Sequence, residues 1–162
     1  LILQSATTTE IDIETAEYLS NITNLDIQAR GKDLLSAASH IDGRTPQEVI
    51  RQDMKEYTEE NLTYTVSQIE VDNPNEILSK KDQFLTELEM ERRSRKAVLS
   101  ALMVTDITKL TSLLVVATES THEQFIDFPQ QEDSVYILRD IVSRKKQLIP
   151  LLSEQIEKLL EK

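Results

Sequence analysis

Three consecutive cations, Arg144, Lys145 and Lys146, are flanked by Ser143 and Gln147. The sequence predicts a strand before this segment, which we call the basic turn (residues 143–147), and a helix after it. Cations at a helix N-terminus cost about 0.3–1 kcal/mol each relative to the C-terminus, because the dipole there is positive. The arrangement becomes favourable when backbone N–H groups, an arginine fork and lysine charges converge on one anion. The basic turn therefore indicates a phosphate-type site, and the alternative is a solvated turn that makes surface ion pairs.

Other polar residues give weaker signals. The α5 cluster, as we call residues 92–96, reads Arg-Arg-Ser-Arg-Lys near the C-terminal end of a predicted helix, where cations are favourable. We interpret it as a charged helix end. Lys55 lies at a predicted strand edge and by itself is an exposed lysine. Thr105-Asp106 closes an apolar strand, which favours a turn or cap, and His122 lacks a second metal ligand at i+4.

Composition excludes several classes of function. The 162 residues carry 18 Lys and Arg against 29 Asp and Glu, a net charge of −11 that disfavours nucleic acid and anionic membranes as partners. The absence of cysteine excludes disulfides, thiolate metal sites and cysteine nucleophiles, and two glycines cannot form a glycine-rich phosphate loop. Without an 18-residue apolar run or a signal peptide, we expect a cytoplasmic protein. A first residue of leucine suggests a piece of a longer protein, and a homo-oligomer is left open.

The helix and strand signals predict a single α/β (α+β) domain in which helices cover a mixed β-sheet. In chain order the predicted elements are a helix from the Thr9 cap to about Leu25, a helix at about 27–38, a short helix from Pro46 to about Gln52, a hairpin around 59–61, a long helix at about 74–96, strands at Val98–Ile107 and Leu113–Ala117, a short helix at His122–Phe128, a strand at Val135–Val142 and a closing helix at Gln147–Leu160. Lys55 and Arg144 are about 90 residues apart, so only the fold can bring them together.

The basic turn, within Ile141–Pro150, resembles the S-R-K-K-Q segment of manganese-dependent (family II) inorganic pyrophosphatases, members of the DHH phosphoesterase superfamily. Further segments are similar to the same family in order and approximate spacing: Ser5–Glu10 to S-P-T-T-T-E, Asp53–Tyr57 to D-A-K-E-F, Leu102–Ile107 to L-M-V-T-D-I, and Leu113–Val116 to the strand that follows. The resemblance covers nearly the whole chain but only the C-terminal, second-type DHH-associated domain of that family. It implies that residues 1–162 are this domain, that residues 1–9 end an interdomain linker, and that the N-terminal metal-binding DHH domain is absent.

The resemblance also implies site residues and partners. Arg144 and Lys145 would bind a phosphate of pyrophosphate, and Lys55 would be the second cationic contact. Ser143, Lys146 and Gln147 would support them. Manganese or magnesium would lie on the missing N-terminal domain and activate the attacking water, so this chain would bind no metal, hold no catalytic residue and be inactive alone. The partners would be pyrophosphate or polyphosphate and the N-terminal DHH domain.

Several positions depart from the family pattern. Asp140 replaces a usual glycine, Ala6 a usual proline, and Glu70 and Val71 a common Asn-Thr pair. An acid near a phosphate site weakens anion binding if it points inward. The departures leave two alternatives to a pyrophosphatase: an exopolyphosphatase-like DHH phosphoesterase, or a non-catalytic anion-binding or regulatory module.

Overall fold

The computed structural model describes Leu3, residues 8–39, Ile41, residues 43–119 and residues 125–160. Residues 5–7 of the Ser5–Glu10 segment, His40 and His122 lie outside the described residues. The chain divides into two compact units, Leu1–His40 and Ile41–Lys162. Among the described helices, none combines the length and the apolar character that a membrane span needs.

The first unit contains two helices, α1 (Glu10–Thr23) and α2 (Ile27–Ser39), which confirms both predicted helices. A capping box begins α1: the Thr9 hydroxyl accepts from the Asp12 amide at 3.3 Å, and the Asp12 carboxylate accepts from the Thr9 amide at 2.8 Å. Donation by Thr9 lowers the pKa of Asp12 below its usual value. The helix ends at Asn24, whose φ of 53° is a left-handed conformation that asparagine tolerates.

The second unit is built on a six-stranded sheet in the order β1-β2-β3-β4-β6-β5. The strands are β1 (Lys55–Glu59), β2 (Leu62–Val71), β3 (Leu99–Asp106), β4 (Thr111–Thr118), β5 (Gln130–Glu132) and β6 (Val135–Leu138). The helices are α3 (Pro46–Gln52), α4 (Asn75–Leu78), α5 (Lys81–Ser94) and α6 (Ile149–Leu160), with a π-helical turn at Arg144–Leu148 leading into α6. The mixed sheet and its helices confirm the predicted α/β fold class.

Strand pairing places Lys55 at the end of β1, where β2 extends beyond it. β2 and β3 are parallel and are joined by α4 and α5, whereas the other neighbouring strands are antiparallel. Lys55, the first residue of β1, pairs with Val66, and β2 then continues past the start of β1 to Val71. The sheet edge beyond Lys55 is therefore not covered by β1.

Apolar residues fill both faces of the sheet. Side chains alternate between the faces of a strand, so Val66 of β2 packs on one face and Ile69 on the other. The first face packs against Leu148 of the π-helical turn and against Leu152 and Ile156 of α6, and all three side chains are fully buried. The second packs against α3 and α5. These buried side chains anchor α6, the helix that follows the basic turn.

Two predicted elements have the wrong extent. The single helix expected at about 74–96 is two helices, because the Ser79 hydroxyl donates to the Glu76 carbonyl at 3.0 Å and the chain turns at Ser79 and Lys80. The strand expected at Val135–Val142 ends at Leu138. Asp140 then takes a φ of 57°, a left-handed conformation that cannot continue a strand.

One strand was not predicted, and one predicted helix lies partly outside the described residues. Gln130–Glu132 forms β5 on the edge of the sheet with all three residues exposed, so it has no apolar alternation to read. Residues 120–124 lie outside the described residues, and with them the first three of the seven residues of the helix predicted at His122–Phe128. Of the other four, residues 126–128 are not helical, so the prediction is wrong over that part.

Candidate functional site

The basic turn begins a helix with a widened first turn. The Ser143 hydroxyl accepts from the Lys146 amide at 3.3 Å, and the Ser143 carbonyl accepts from the Leu148 amide at 3.1 Å, a π-helical hydrogen bond. Such turns frequently occur at functional sites, and the first amides of a helix have no partner within it. The first turn of this helix contains no acidic residue. Cations thus lie at a helix N-terminus, as the sequence indicates.

Gln147 fixes the loop that enters the basic turn. Its side-chain oxygen accepts from the amides of Val142 at 3.0 Å and Ser143 at 2.9 Å. Its side-chain nitrogen donates to the Asp140 carbonyl at 2.8 Å. All three bonds are local, so this side chain supports the backbone conformation of the loop.

A chain of polar side chains anchors the same loop to the sheet. Gln68 of β2 donates to the Val142 carbonyl and to the Thr105 hydroxyl, each at 3.2 Å. Ser112 of β4 donates to the Thr105 hydroxyl at 3.1 Å. Thr105 and Ser112 are buried, so the chain holds the loop against the interior of the sheet.

Arg144 turns back from the helix onto the start of β1. Its Nη1 donates to the backbone carbonyls of Asp53 and Val66, the latter at 3.2 Å, and lies 3.1 Å from Asp53 Oδ2. Its Nη2 donates to Asp53 Oδ1 at 3.2 Å. The side chain is 11% exposed, and its buried Nε has no hydrogen-bond partner among the described residues.

Val66 of β2 connects the two predicted cationic segments. Val66 gives its carbonyl to Arg144, and Lys55 is its partner across the β1–β2 ladder. The fold therefore brings Lys55 next to the contact made by Arg144. Lys55 and Lys145 are exposed, and neither ammonium forms a hydrogen bond or ion pair with a described residue. Lys146 is also exposed.

Asp106 is held in a turn, in agreement with the structural interpretation of Thr105-Asp106. Its Oδ1 accepts from the Thr108 amide at 2.8 Å, the Thr108 hydroxyl at 2.6 Å and the Lys109 amide at 3.0 Å. Burial raises the pKa of this carboxyl, but donation by Thr108 and Lys109 outweighs burial and leaves the pKa below its usual value. The hydrogen bonds of Asp106 are therefore made within its own turn.

The described residues do not fit a manganese site. Within residues 8–39, 43–119 and 125–160, no group of three or more His, Cys, Asp or Glu side chains could hold a metal ion. Carboxylates and imidazoles are the protein ligands that a divalent cation of this kind needs. The metal location implied by the resemblance therefore stays a prediction.

Two residues that organise the site were not singled out from the sequence. Asp53 belongs to the Asp53–Tyr57 segment, but it pairs with Arg144, which lies 91 residues later in the chain. Gln68 follows the alternating positions of β2 from Leu62 to Val66, which are apolar, and that polar interruption is the signal that could have marked it. A backbone acceptor such as the Val66 carbonyl leaves no trace in the sequence.

Comparison with known proteins gives one consistent result. The family described as "DHHA2 domain" matches residues 32–155. Proteins of Staphylococcus aureus strains JH9 and N315, each named "Probable manganese-dependent inorganic pyrophosphatase", are 31% identical over 159 residues, covering 98% of this chain and 52% of the relative. The crystal structure of a Methanococcus jannaschii "putative family II inorganic pyrophosphatase" superposes with a TM-score of 0.77 and 29% identity, covering 94% of this chain and 50% of that one. The chain thus spans about half the length of these relatives.

Proposed function

This chain belongs to the DHHA2 domain family, and from that premise we propose that it is the substrate-binding C-terminal domain of a manganese-dependent inorganic pyrophosphatase. The whole protein would hydrolyse pyrophosphate with water to give two phosphates. The names of the relatives support this activity. Since those relatives are about twice as long, we assign the N-terminal DHH domain and the metal to the half that this chain lacks. A cytoplasmic location stays part of the proposal.

The unfilled hydrogen-bonding capacity of Arg144 carries the proposal. A guanidinium has five N–H donors. Nη1 faces two carbonyls and a carboxylate oxygen, and Nη2 uses one N–H on Asp53. The Nε–H and one Nη2–H have no partner among the described residues. A buried charged donor without a partner is costly, and an oxyanion held on this edge would remove that cost.

The lysines supply charge that the arginine does not. Because Arg144 is paired with the Asp53 carboxylate, attraction of an anion depends also on exposed Lys55 and Lys145. Together with the amides at the start of the basic turn, they would neutralise a phosphate and the charge that develops on the leaving phosphate. The role of these residues is binding and electrostatic stabilisation.

Calorimetric titration of pyrophosphate and phosphate into this chain and into the two-domain protein at low salt tests the site. The variant is Arg144→Ala with Lys145→Ala. Each loses charged hydrogen bonds of about 1.5–3 kcal/mol, so we expect binding about 100-fold weaker or more. The matched control, Arg93→Ala with Lys158→Ala, removes the same charge from exposed positions of α5 and α6 and should bind as the wild type does. Unchanged binding in Arg144→Ala with Lys145→Ala would refute the site.

Turnover separates the substrates and the roles of the two halves. With manganese, the two-domain protein should hydrolyse pyrophosphate faster than tripolyphosphate, and the isolated chain should hydrolyse neither. A preference for tripolyphosphate would replace the pyrophosphatase by a polyphosphatase. Turnover by the isolated chain, in a preparation free of other phosphatases, would contradict the assignment of the metal to the other half.

A further inference from the structure

We infer that Asp53 is a positioning residue: it orients Arg144 toward the ligand and fixes Arg144 relative to Lys55. This inference rests on the proposed function, because it concerns how that same anion site is assembled. In this inference Asp53 acts through Arg144 and does not itself contact the substrate.

The contact between the two side chains has a defined direction. The carboxylate of Asp53 spans Nη1 and Nη2 of Arg144, with distances of 3.1 Å to Oδ2 and 3.2 Å to Oδ1. A carboxylate that spans both terminal nitrogens occupies the end of the guanidinium plane. The unused donors, Nε–H and one Nη2–H, then lie along the remaining edge. Asp53 therefore decides which edge of Arg144 is offered to an oxyanion.

The backbone of Asp53 adds a second constraint. Its carbonyl accepts from Nη1, as does the Val66 carbonyl. A flexible arginine side chain has many rotamers, and four acceptors from two segments select one of them. Arg144 therefore loses its rotamer freedom during folding and not when the ligand binds. This lowers the entropy cost of binding.

The two side chains of this contact differ in exposure. The Asp53 side chain is 45% exposed, whereas that of Arg144 is 11% exposed. The carboxylate thus keeps water on its outer side while it compensates a mostly buried cation, which would otherwise be unpaired. Full exposure of Arg144 would leave it free to swing away from Lys55.

The position of Asp53 in the chain couples the two cationic segments. Asp53 is the C-cap of α3 and stands two residues before Lys55, where β1 begins. Its bonds to Arg144 therefore join the α3–β1 connection to the basic turn. A change at Asp53 should alter the geometry between Lys55 and Arg144, and not only the conformation of one of them.

The test uses the two-domain protein with Asp53→Asn and Asp53→Ala, measuring phosphate affinity, KM and kcat for pyrophosphate, and the melting temperature. The matched control is Glu132→Gln, which removes a 44% exposed carboxylate from its pair with Lys81. We expect phosphate binding and kcat/KM to fall about 10-fold or more in Asp53→Ala and several-fold in Asp53→Asn, which keeps one side-chain acceptor. Glu132→Gln should lose little of either.

The outcomes separate this inference from the proposed function. If Asp53→Ala and Asp53→Asn bind phosphate as Glu132→Gln does while Arg144→Ala binds weakly, Asp53 is not a positioning residue. Tighter binding in Asp53→Asn would also overturn the inference, because the carboxylate would then be a competitor of the ligand. If Arg144→Ala itself binds normally, the proposed site fails first. Should Asp53→Ala not fold, Asp53→Asn at 0.5 M salt decides, because loss of orientation persists when charges are screened.

Discussion

The α5 cluster and the basic turn share arginine, lysine and serine but balance their charge differently. Arg92 and Arg93 both pair with Glu89, at 2.7 and 2.5 Å, and Arg95 pairs with Glu91 at 3.2 Å. In the basic turn, Arg144 pairs with one carboxylate, and the ammonium of Lys145 has no partner among the described residues. Every arginine of the α5 cluster is therefore paired with a glutamate of its own helix, whereas Arg144 takes its carboxylate from the α3–β1 connection.

The position of each cluster on its helix explains the difference. The α5 cluster lies at a C-terminus, where the dipole favours cations and glutamates one turn earlier are within reach. The basic turn lies at an N-terminus with no acid in its first turn and with an opposing dipole. Composition alone cannot distinguish a structural ion-pair network from an anion site, but the helix end and the neighbouring carboxylates can.

If the α5 cluster is a structural ion-pair network, a substitution there should change stability and leave anion binding unchanged. Loss of its shared glutamate is the largest effect that we expect. Glu89→Gln removes the negative charge that pairs with Arg92, which is 10% exposed, and leaves Glu119 as its carboxylate partner among the described residues. Removing one partner of a partly buried pair should lower the free energy of unfolding by about 2–3 kcal/mol, measured by urea denaturation. Phosphate affinity should stay unchanged. A change in affinity larger than that in stability would show that the two clusters are not independent.

The pH dependence of stability sharpens the same contrast. Donation by Arg92, and then by Arg93, lowers the pKa of Glu89 from 4.5 to about 2, although burial opposes the shift. Since the folded pKa is depressed, Glu89 contributes stability that is present above its unfolded pKa and lost as the pH falls from about 5 toward 2. Urea denaturation across this range should show a steeper decline for the wild type than for Glu89→Gln. Parallel curves would contradict the role of Glu89.

Supporting contacts around the basic turn should give an intermediate effect. Gln147→Ala removes the bonds to Val142, Ser143 and Asp140, which should cost about 1–2 kcal/mol of stability and weaken phosphate binding several-fold. Gln83→Ala, the same change on an exposed position of α5, should alter neither quantity. Equal loss of binding in the two variants would mean that the loop holds its conformation without Gln147.

Local signals in the sequence were sufficient for most of the fold. Thr45, Pro46 and Glu48 specify the start of α3 by themselves, and the structure contains that capping box. The turn at Ser79 and Lys80 was not predicted because Ile77 before it and Phe84 after it are spaced as in one continuous helix. Periodicity reports which side of an element is buried and does not report a break within it.

The candidate site was predictable in its residues but not in its assembly. The cations of the basic turn and the segment of Lys55 could be read as motifs, because each is contiguous. The bonds from Arg144 to Asp53 and to the Val66 carbonyl depend on strand register and on a backbone atom. Such contacts follow from tertiary packing, which one sequence does not encode in any local pattern.

The smallest expected effect concerns Asp140, the acid that replaces a usual glycine of the family. Its φ of 57° suits glycine, and asparagine also tolerates this conformation, so Asp140→Asn should change stability by less than about 1 kcal/mol. Removing this charge beside the basic turn should tighten phosphate binding about two-fold at low salt, and the gain should vanish at 0.5 M salt. Asp82→Asn removes an equal charge from the first turn of α5, where no anion is expected, and should leave affinity unchanged. Equal tightening in both variants would mean that net charge, rather than the position of Asp140, governs the affinity.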